Sequence, residues 1–467
     1  MAELNSRPMP SDSGATARGI QTTLTRAAAW MGAEQKGEDR PFAGVSTDSR
    51  AMPPGALFIA LRGPRFDGHD HAPEAVAAGA AAVVTERPLS IAAPQLLVPD
   101  TRRALGALAA AWRRACPVRV VAITGSNGKT TVKEMCAAIL SQAGPVLATR
   151  GNLNNEIGVP LTLLRLSPEH RHAVVEMGAN HAGEIGMLTG LARPDAALIT
   201  NAAAAHLEGF GSLEGVARAK GEIYSGLEEQ GVALINADDP FAPLWRELAA
   251  GHRVMTFGLR EPADIAAAAR LDGAGAQMSL RLPDGEQPVR LALLGRHNVQ
   301  NALAAAAAAA ALGIDRRAIA AGLAQMRPVA GRLAPRPGSQ GAHLIDDSYN
   351  ANPASLGAAL EVLAACEGRR YLVLGDMAEL GAEAEALHRR AGEQARAAGI
   401  DRLYATGRLS RLAAERFGSG GHFFAHQEAL IEALRSELSP EVTVLVKGSR
   451  AARMERVVAA LGAGGEG

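Results

Sequence analysis

Cysteine is scarce in this chain, with three in 467 residues, at positions 116, 136 and 366. The number is odd and the spacing wide, and no Cys pair or Cys/His cluster suggests a zinc site. A reduced, cytosolic compartment is the expectation. Aromatic residues make up 3% of the chain, which argues against a stacking platform for single-stranded nucleic acid. No charge of either sign is in excess, since Lys+Arg and Asp+Glu each number 48. That balance argues against a broad nucleic-acid footprint and against binding to anionic membranes. A long apolar run is also missing. The longest, the alanine tract 302–312, falls far short of the roughly 20 residues that span a bilayer, and it reads as a buried helix. The polar residues 1–22 lack the apolar core of a signal peptide and are expected to form a disordered tail.

What is present is a folded composition, 48% apolar and 21% charged, in a chain long enough for two to four domains. Residues 23–100 read as a small α/β unit. Residues 101–328 alternate apolar runs with helical segments. Strands are expected at 118–124, 172–177, 196–201, 232–236 and 253–257, with helices at 130–142 and 213–227. Alternation at this spacing predicts a mostly parallel sheet covered on both faces. Residues 264–294, centred on Pro283-Asp284-Gly285, predict an appended β-hairpin. A break near Arg327-Pro328 opens a third block, 329–467, with strands expected at 342–346, 370–374, 402–406 and 443–446. This block has the alternation of a doubly wound, Rossmann-like fold but lacks the G-x-G-x-x-G fingerprint. The class is therefore α/β with three domains: a small N-terminal one, a central one with a phosphate loop, and a Rossmann-like C-terminal one.

The centre of the chain is the stretch Val120-Val121-Ala122-Ile123-Thr124-Gly125-Ser126-Asn127-Gly128-Lys129-Thr130-Thr131. A short apolar strand runs into a glycine loop and then a helix N-terminus, the geometry that grips a nucleotide triphosphate. Gly125 and Gly128 let the backbone bring its N–H groups to phosphate oxygens. Lys129 supplies a point charge for the β- and γ-phosphates, and the Thr130 hydroxyl suits Mg²⁺. The spacing departs from G-x-x-x-x-G-K-[ST], because the first glycine would fall at Ile123. Glu176 ends an apolar run, where a metal-binding carboxylate belongs beside such a loop; an exposed strand-end Glu is the plainer alternative. His206 follows the next strand and reads either as a ligand or as a structural histidine.

Several stretches carry a family resemblance. Thr124 to Thr131, Gly151-Asn152-Leu153-Asn154-Asn155-Glu156-Ile157-Gly158, His206-Leu207-Glu208-Gly209-Phe210-Gly211, Ala219-Lys220-Gly221-Glu222-Ile223, and Gly295-Arg296-His297-Asn298 with Asn301 resemble the Mur ligases. These are ATP-dependent amide ligases of peptidoglycan precursor synthesis. Asp346-Asp347-Ser348-Tyr349-Asn350-Ala351-Asn352-Pro353, Gly375-Asp376-Met377-Ala378-Glu379-Leu380-Gly381 and Val446-Lys447-Gly448-Ser449-Arg450 narrow the resemblance. They are similar to the branch that adds D-alanyl-D-alanine to UDP-N-acetylmuramoyl-tripeptide. The resemblance implies that the first domain holds the UDP moiety, the middle one ATP and Mg²⁺, and the last the incoming dipeptide. It also implies an acyl phosphate made from the substrate carboxylate and ATP, then attacked by an amine. That chemistry needs cations around phosphate and placement of two substrates, not an enzyme nucleophile. The enzyme is expected to be a cytoplasmic monomer.

The resemblance also implies site residues. Lys129, Glu176, His206, Lys220 and Arg332 are the catalytic candidates. Thr130, Glu176, His206 and Lys220, the last as a CO₂-derived carbamate, are the metal candidates. A solvated helix lysine is the plain alternative for Lys220. Gly125, Ser126, Asn127, Gly128, Lys129, Thr130 and Thr131 hold phosphates. Asn298 and Asn301, with His297 nearby, meet adenine, and Asp347 meets ribose. Ser46, Asp48, Ser49 and Arg50 face the UDP end, with Phe66 and His69 as weaker candidates. Asn152, Asn154 and Asn155 face the sugar-peptide. Tyr349, Asn350, Asn352, Lys447 and Arg450 face the dipeptide. The rivals are a sister ligase, a folylpolyglutamate-synthase-like ligase and, from a different class, a P-loop ATPase switch.

Overall fold

The structure, a computed structural model, describes residues 19–204 and 207–464. Residues 1–18 of the expected disordered tail, 1–22, and the candidate ligand His206 lie outside the described residues. The end of that tail is a correction: Ile20 is buried, and Gln21–Thr23 is a strand paired antiparallel with Pro41–Ala43. The chain divides into two compact units, the first holding residues up to 118 together with 150–171 and the second holding 119–149 and everything from 172 onward.

In the first unit a five-stranded sheet runs in the order Glu34–Lys36, Gln95–Leu97, Ala82–Thr85, Leu57–Ile59, Val45–Ser46. All its neighbours are parallel except the first pair. Phe58, Ala60 and Val83 of this sheet form a small core with Ala72 and Ala75. Helix Thr101–Ala115 starts at Asp100, whose carboxylate accepts the Arg102 and Arg103 amides. It packs against helices Leu24–Met31 and Gly158–Leu163, and the Trp112 indole N–H donates to the Leu166 carbonyl at 2.9 Å. This helix and the 150–171 excursion thus belong to the first unit, whereas the expected boundary falls between residues 100 and 101. The second unit takes in both sides of the expected boundary at 328.

The second unit carries two six-stranded sheets. The central one is wholly parallel, in the order Val146–Ala148, His172–Glu176, Arg119–Thr124, Ala196–Ile199, Val232–Asn236, Arg253–Phe257. Its strands are almost continuous runs of buried aliphatic residues, as two covered faces require. Strand order reverses at Arg119–Thr124, so the loop after that strand opens at a topological switch point, where ligands bind in open α/β sheets. Helices Lys129–Leu140 and Arg296–Ala311 pack on the sheet, the alanines of the second sitting in the core, and helix Arg316–Ala324 packs on both helices and on Gly285–Leu291. The expected hairpin is present, strands Gly275–Leu282 and Gly285–Leu291 turning at Pro283-Asp284. The correction is a further antiparallel strand, Ala266–Asp272, paired with Gly275–Leu282. This further strand is alanine-rich and largely exposed, so it lacks the alternation that marks a strand. The expected helix 213–227 is also shorter: an α-helix covers Leu213–Gly221 and a 3₁₀ segment follows over Glu222–Gly226.

The C-terminal sheet runs Ala334–Pro337, His343–Asp347, Val442–Lys447, Arg369–Gly375, Arg402–Thr406, Gly421–Phe424, parallel after the first antiparallel pair. The α/β class is therefore as expected. The register sets Asp347 directly beside Lys447. None of the described helices is long and apolar enough to cross a membrane.

Candidate active site

The phosphate loop is built by glycine. Gly125 has φ of +146° and Gly128 has φ of +82°, which side-chain-bearing residues rarely adopt. A Cβ on Gly125 would collide with the Thr200 hydroxyl, and one on Gly128 would press on the Asn301 amide. Gly128 caps helix Lys129–Leu140, so no side chain caps its first turn. The amides of that turn therefore present an anion site. Two residues that the motif reading missed hold the loop in shape. Asn201 accepts the Asn127 N–H at 3.0 Å and returns its own amide N–H to the Asn127 carbonyl at 3.1 Å. The Thr200 hydroxyl donates to that same carbonyl at 2.6 Å. Both look like ordinary strand-end polar residues, and only the parallel neighbour strand brings them to the loop.

Lys129 lies back over the loop, donating to the Gly125 carbonyl at 2.6 Å. Burial pushes its pKa down, the Glu176 charge pushes it up and the Arg332 charge pushes it down again. Lys220 is 3% exposed, with its Nζ 6.0 Å from the centre of the Phe210 ring. Burial, and then the Lys129 charge, hold its pKa far below that of an ordinary lysine. A neutral amine is the form that reacts with CO₂, whereas a solvated lysine would be an ammonium. Glu176 is buried and stands beside Ile123 in the sheet.

The C-terminal sheet reaches the same place. An Arg332 guanidinium N–H donates to the Thr130 hydroxyl at 2.9 Å, and the guanidinium lies 4.3 Å from the centre of the Tyr349 ring. Asp346 and Asp347 hold the segment on either side of Arg332, accepting the Gly331 and Leu333 amides at 3.2 Å each. Leu333 takes a left-handed φ of +49° there. Asn352 caps helix Pro353–Ala364 and sends its amide N–H to Asn127 Oδ1 at 2.7 Å. Asn298 and Asn301 are buried, bonded to each other at 3.0 Å. Lys447 is locked to Asp347 at 2.5 Å and to the Asn350 carbonyl at 3.0 Å. Burial pushes the Asp347 carboxyl up, against the Lys447 charge. The second unit thus gathers the phosphate loop with Arg332 and Asn352, and through mutual charge with Glu176 and Lys220. Arg450 is exposed and pairs instead with Glu455 at 3.1 Å.

The remaining candidates lie in the first unit. Arg50 is exposed and bidentate to Asp48, at 2.9 and 2.8 Å. Ser46 bonds the Asp48 backbone and Ser49 the Glu74 carboxylate. Phe66 is exposed, while His69 is buried, with one ring nitrogen on Asp67 and the other accepting the Glu86 amide. Asn152, Asn154 and Asn155 precede helix Gly158–Leu163, and Asn155 accepts the Gly158 amide at 2.9 Å.

The oxygen donors suit Mg²⁺. Thr130 and Glu176 offer a hydroxyl and a carboxylate, and a carbamate on Lys220 would add two more oxygens. Among the described residues no three His, Cys, Asp or Glu side chains gather into a metal cage. Mg²⁺ does not need one, since it is held by one or two carboxylates together with substrate phosphates.

Comparison with known proteins shows the family. The sequence matches the Mur ligase family catalytic domain over residues 41–113, the Mur ligase middle domain over 123–309 and the Mur ligase glutamate ligase domain over 331–450. It is 51% identical over 446 residues to the UDP-N-acetylmuramoyl-tripeptide–D-alanyl-D-alanine ligase of Escherichia coli (strain K12), covering 95% of this chain and 98% of that one. The chain belongs to the Mur ligase family. Among solved Mur ligases, MurF from Acinetobacter baumannii superposes with a TM-score of 0.91 at 38% identity, covering 95% of this chain and 99% of that one. MurF ligase from Thermotoga maritima, solved in complex with ADP, gives a TM-score of 0.79 at 30% identity, covering 89% of this chain and 96% of that one.

Proposed function

We propose that this Mur ligase joins D-alanyl-D-alanine to UDP-N-acetylmuramoyl-tripeptide with ATP, giving UDP-N-acetylmuramoyl-pentapeptide, ADP and phosphate. The observation that carries the reading is the contact of Arg332 with Thr130. It brings a cation from the segment that leads into the C-terminal sheet to a phosphate loop built on the central one, as a transfer between two bound reactants requires. The E. coli relative named for this reaction supports the choice of substrates.

In this reading the terminal carboxylate of the tripeptide attacks the γ-phosphorus and ADP leaves. The amine of D-alanyl-D-alanine then attacks the acyl carbon, phosphate leaves and the amine loses a proton. Lys129, Arg332 and the loop amides hold the charge that builds on the phosphoryl oxygens. Thr130, Glu176 and Lys220 as a carbamate would hold Mg²⁺, which would add to the neutralisation of phosphate charge. Asn298, Asn301 and Asp347 face the nucleoside, and His206 is a further ligand. The first unit's Ser46, Asp48, Ser49, Arg50, Asn152, Asn154 and Asn155 take the UDP-sugar-peptide, and Arg50 exchanges Asp48 for diphosphate. Tyr349, Asn350, Asn352, Lys447 and Arg450 shape the dipeptide end, Lys447 and Asn352 by holding the loop between them. The enzyme acts in the cytoplasm as a monomer.

The test is mass spectrometry of the product from enzyme, ATP, Mg²⁺, D-alanyl-D-alanine and a tripeptide nucleotide whose third residue is meso-diaminopimelate or lysine. A pentapeptide nucleotide from either substrate supports the reading, and recovery of both tripeptides unchanged refutes it. For Lys220, electron density ending at Nζ in a well-ordered crystal grown with nucleotide and bicarbonate counts against the carbamate.

A further inference from the structure

Lys133 sits one turn beyond Lys129 on helix Lys129–Leu140 and is 2% exposed. It shares a helical stripe with buried Cys136 and Leu140, where an apolar residue would be the ordinary choice. Burying an ammonium is unfavourable unless it is paired and hydrogen-bonded. Here it meets Glu134 at 2.8 Å and donates to the Thr149 carbonyl, also at 2.8 Å. The ligase reaction itself gives it no task.

Thr149 is the informative partner. It follows edge strand Val146–Ala148, and it too is 2% exposed. Its N–H donates to the Val174 carbonyl, and its hydroxyl accepts the Glu176 N–H, both at 3.0 Å. The other side of this strand end is held by the sheet. The Met177 N–H donates to Ile123 at 2.8 Å, and the Thr124 hydroxyl donates to the Met177 carbonyl at 2.9 Å. The backbone that carries the Glu176 carboxylate is therefore gripped from both sides. On the side where the neighbouring strand has ended, the grip is the Thr149 hydroxyl, on a residue whose carbonyl Lys133 holds. We propose that Lys133 is a positioning residue which, through Thr149, ties the helix of the phosphate loop to Glu176 and fixes that carboxylate for Mg²⁺. The inference rests on the reading of Glu176 as a metal ligand.

The test uses the full chain and three variants, Lys133→Met, Thr149→Val and Thr149→Ser, with Glu176→Gln as the control. Mn²⁺ binding in the presence of ADP is followed by the electron paramagnetic resonance of free Mn²⁺. ADP release is measured against Mg²⁺ concentration, and ADP binding is measured without metal. Lys133→Met and Thr149→Val should each weaken Mn²⁺ binding by about tenfold or more. They should raise the half-saturating Mg²⁺ concentration by a similar factor and leave metal-free ADP binding unchanged. Thr149→Ser keeps the hydroxyl and should recover most of the affinity. If Lys133→Met does not fold, the Thr149 pair decides. Folded variants that bind Mn²⁺ within twofold of the parent, while Glu176→Gln binds it weakly, overturn the relay. So does a loss that Thr149→Ser fails to recover. Unaltered Mn²⁺ binding in Glu176→Gln overturns the metal reading, and the relay with it.

Discussion

The two six-stranded sheets of the second unit share an architecture and treat charge in opposite ways. Around the phosphate loop of the central sheet the lysines have weak partners. Lys129 donates to carbonyls, Lys220 of helix Leu213–Gly221 lies near an aromatic ring, and burial drives both pKa values down, Lys220 towards the neutral amine. At the strand ends of the C-terminal sheet the cation is already neutralised, since Lys447 and Asp347 stand side by side, buried, at 2.5 Å. That pair also holds backbone beside Arg332, since Asp347 accepts the Leu333 amide. The two sheets thus differ at their strand ends: a lysine bonded to carbonyls beside the glycine loop in one, a direct buried ion pair in the other.

Breaking the paired end should have the largest effect. Lys447→Met leaves the buried Asp347 without its cation and is expected to cost about 3–5 kcal/mol, read by urea unfolding. Adding Asp347→Asn should recover much of that loss. At the unpaired end, Lys129→Met should leave the fold intact and lower the rate of ADP release by about 100- to 1000-fold, on the scale of losing a preorganised donor. Retained turnover in that variant would erase the contrast between the two sheets.

A third prediction sharpens the comparison through pH. Burial, and then the Lys447 charge, push the His297 pKa down to about 4. An unfolded histidine takes up a proton near 6.5. Between those values the unfolded chain binds the extra proton, so stability falls as the pH drops from about 6.5 towards 4. His297→Asn should flatten that part of the stability curve by on the order of 1–3 kcal/mol. The smallest effect is expected at the seam between the sheets. Asn352→Ala removes a helix cap and the bond to Asn127, at about 1 kcal/mol. A double-mutant cycle with Asn127→Ala should return a coupling of roughly 0.5–1.5 kcal/mol.

Much of this was legible in the sequence, for a physical reason. Strands covered on both faces must be aliphatic throughout, so Arg119–Thr124, His172–Glu176 and Val442–Lys447 stand out as apolar runs. Edge strands have no such requirement. Val146–Ala148 is three residues long, Ala334–Pro337 carries two prolines, and Gly421–Phe424 is only partly buried. The alanines of Ala266–Asp272 favour a helix, and only pairing with Gly275–Leu282 makes that segment a strand. In the site, the loop and Lys129 were visible because phosphate binding demands glycine and a cation at set positions. Thr149, Thr200 and Asn201 were not, because they act from neighbouring strands and their residue types are common at strand ends. Lys133 left one readable trace, a charge inside the apolar stripe of its helix.

The central claim is that Lys129 and the loop amides of the central sheet serve a transfer between two bound substrates. ADP release from ATP and Mg²⁺ tests it most directly, measured with neither substrate, with UDP-N-acetylmuramoyl-tripeptide alone, with D-alanyl-D-alanine alone, and with both. The account predicts sustained release only when both are present. Equal turnover without the tripeptide nucleotide and the dipeptide would contradict it and would make the chain a nucleotide hydrolase instead.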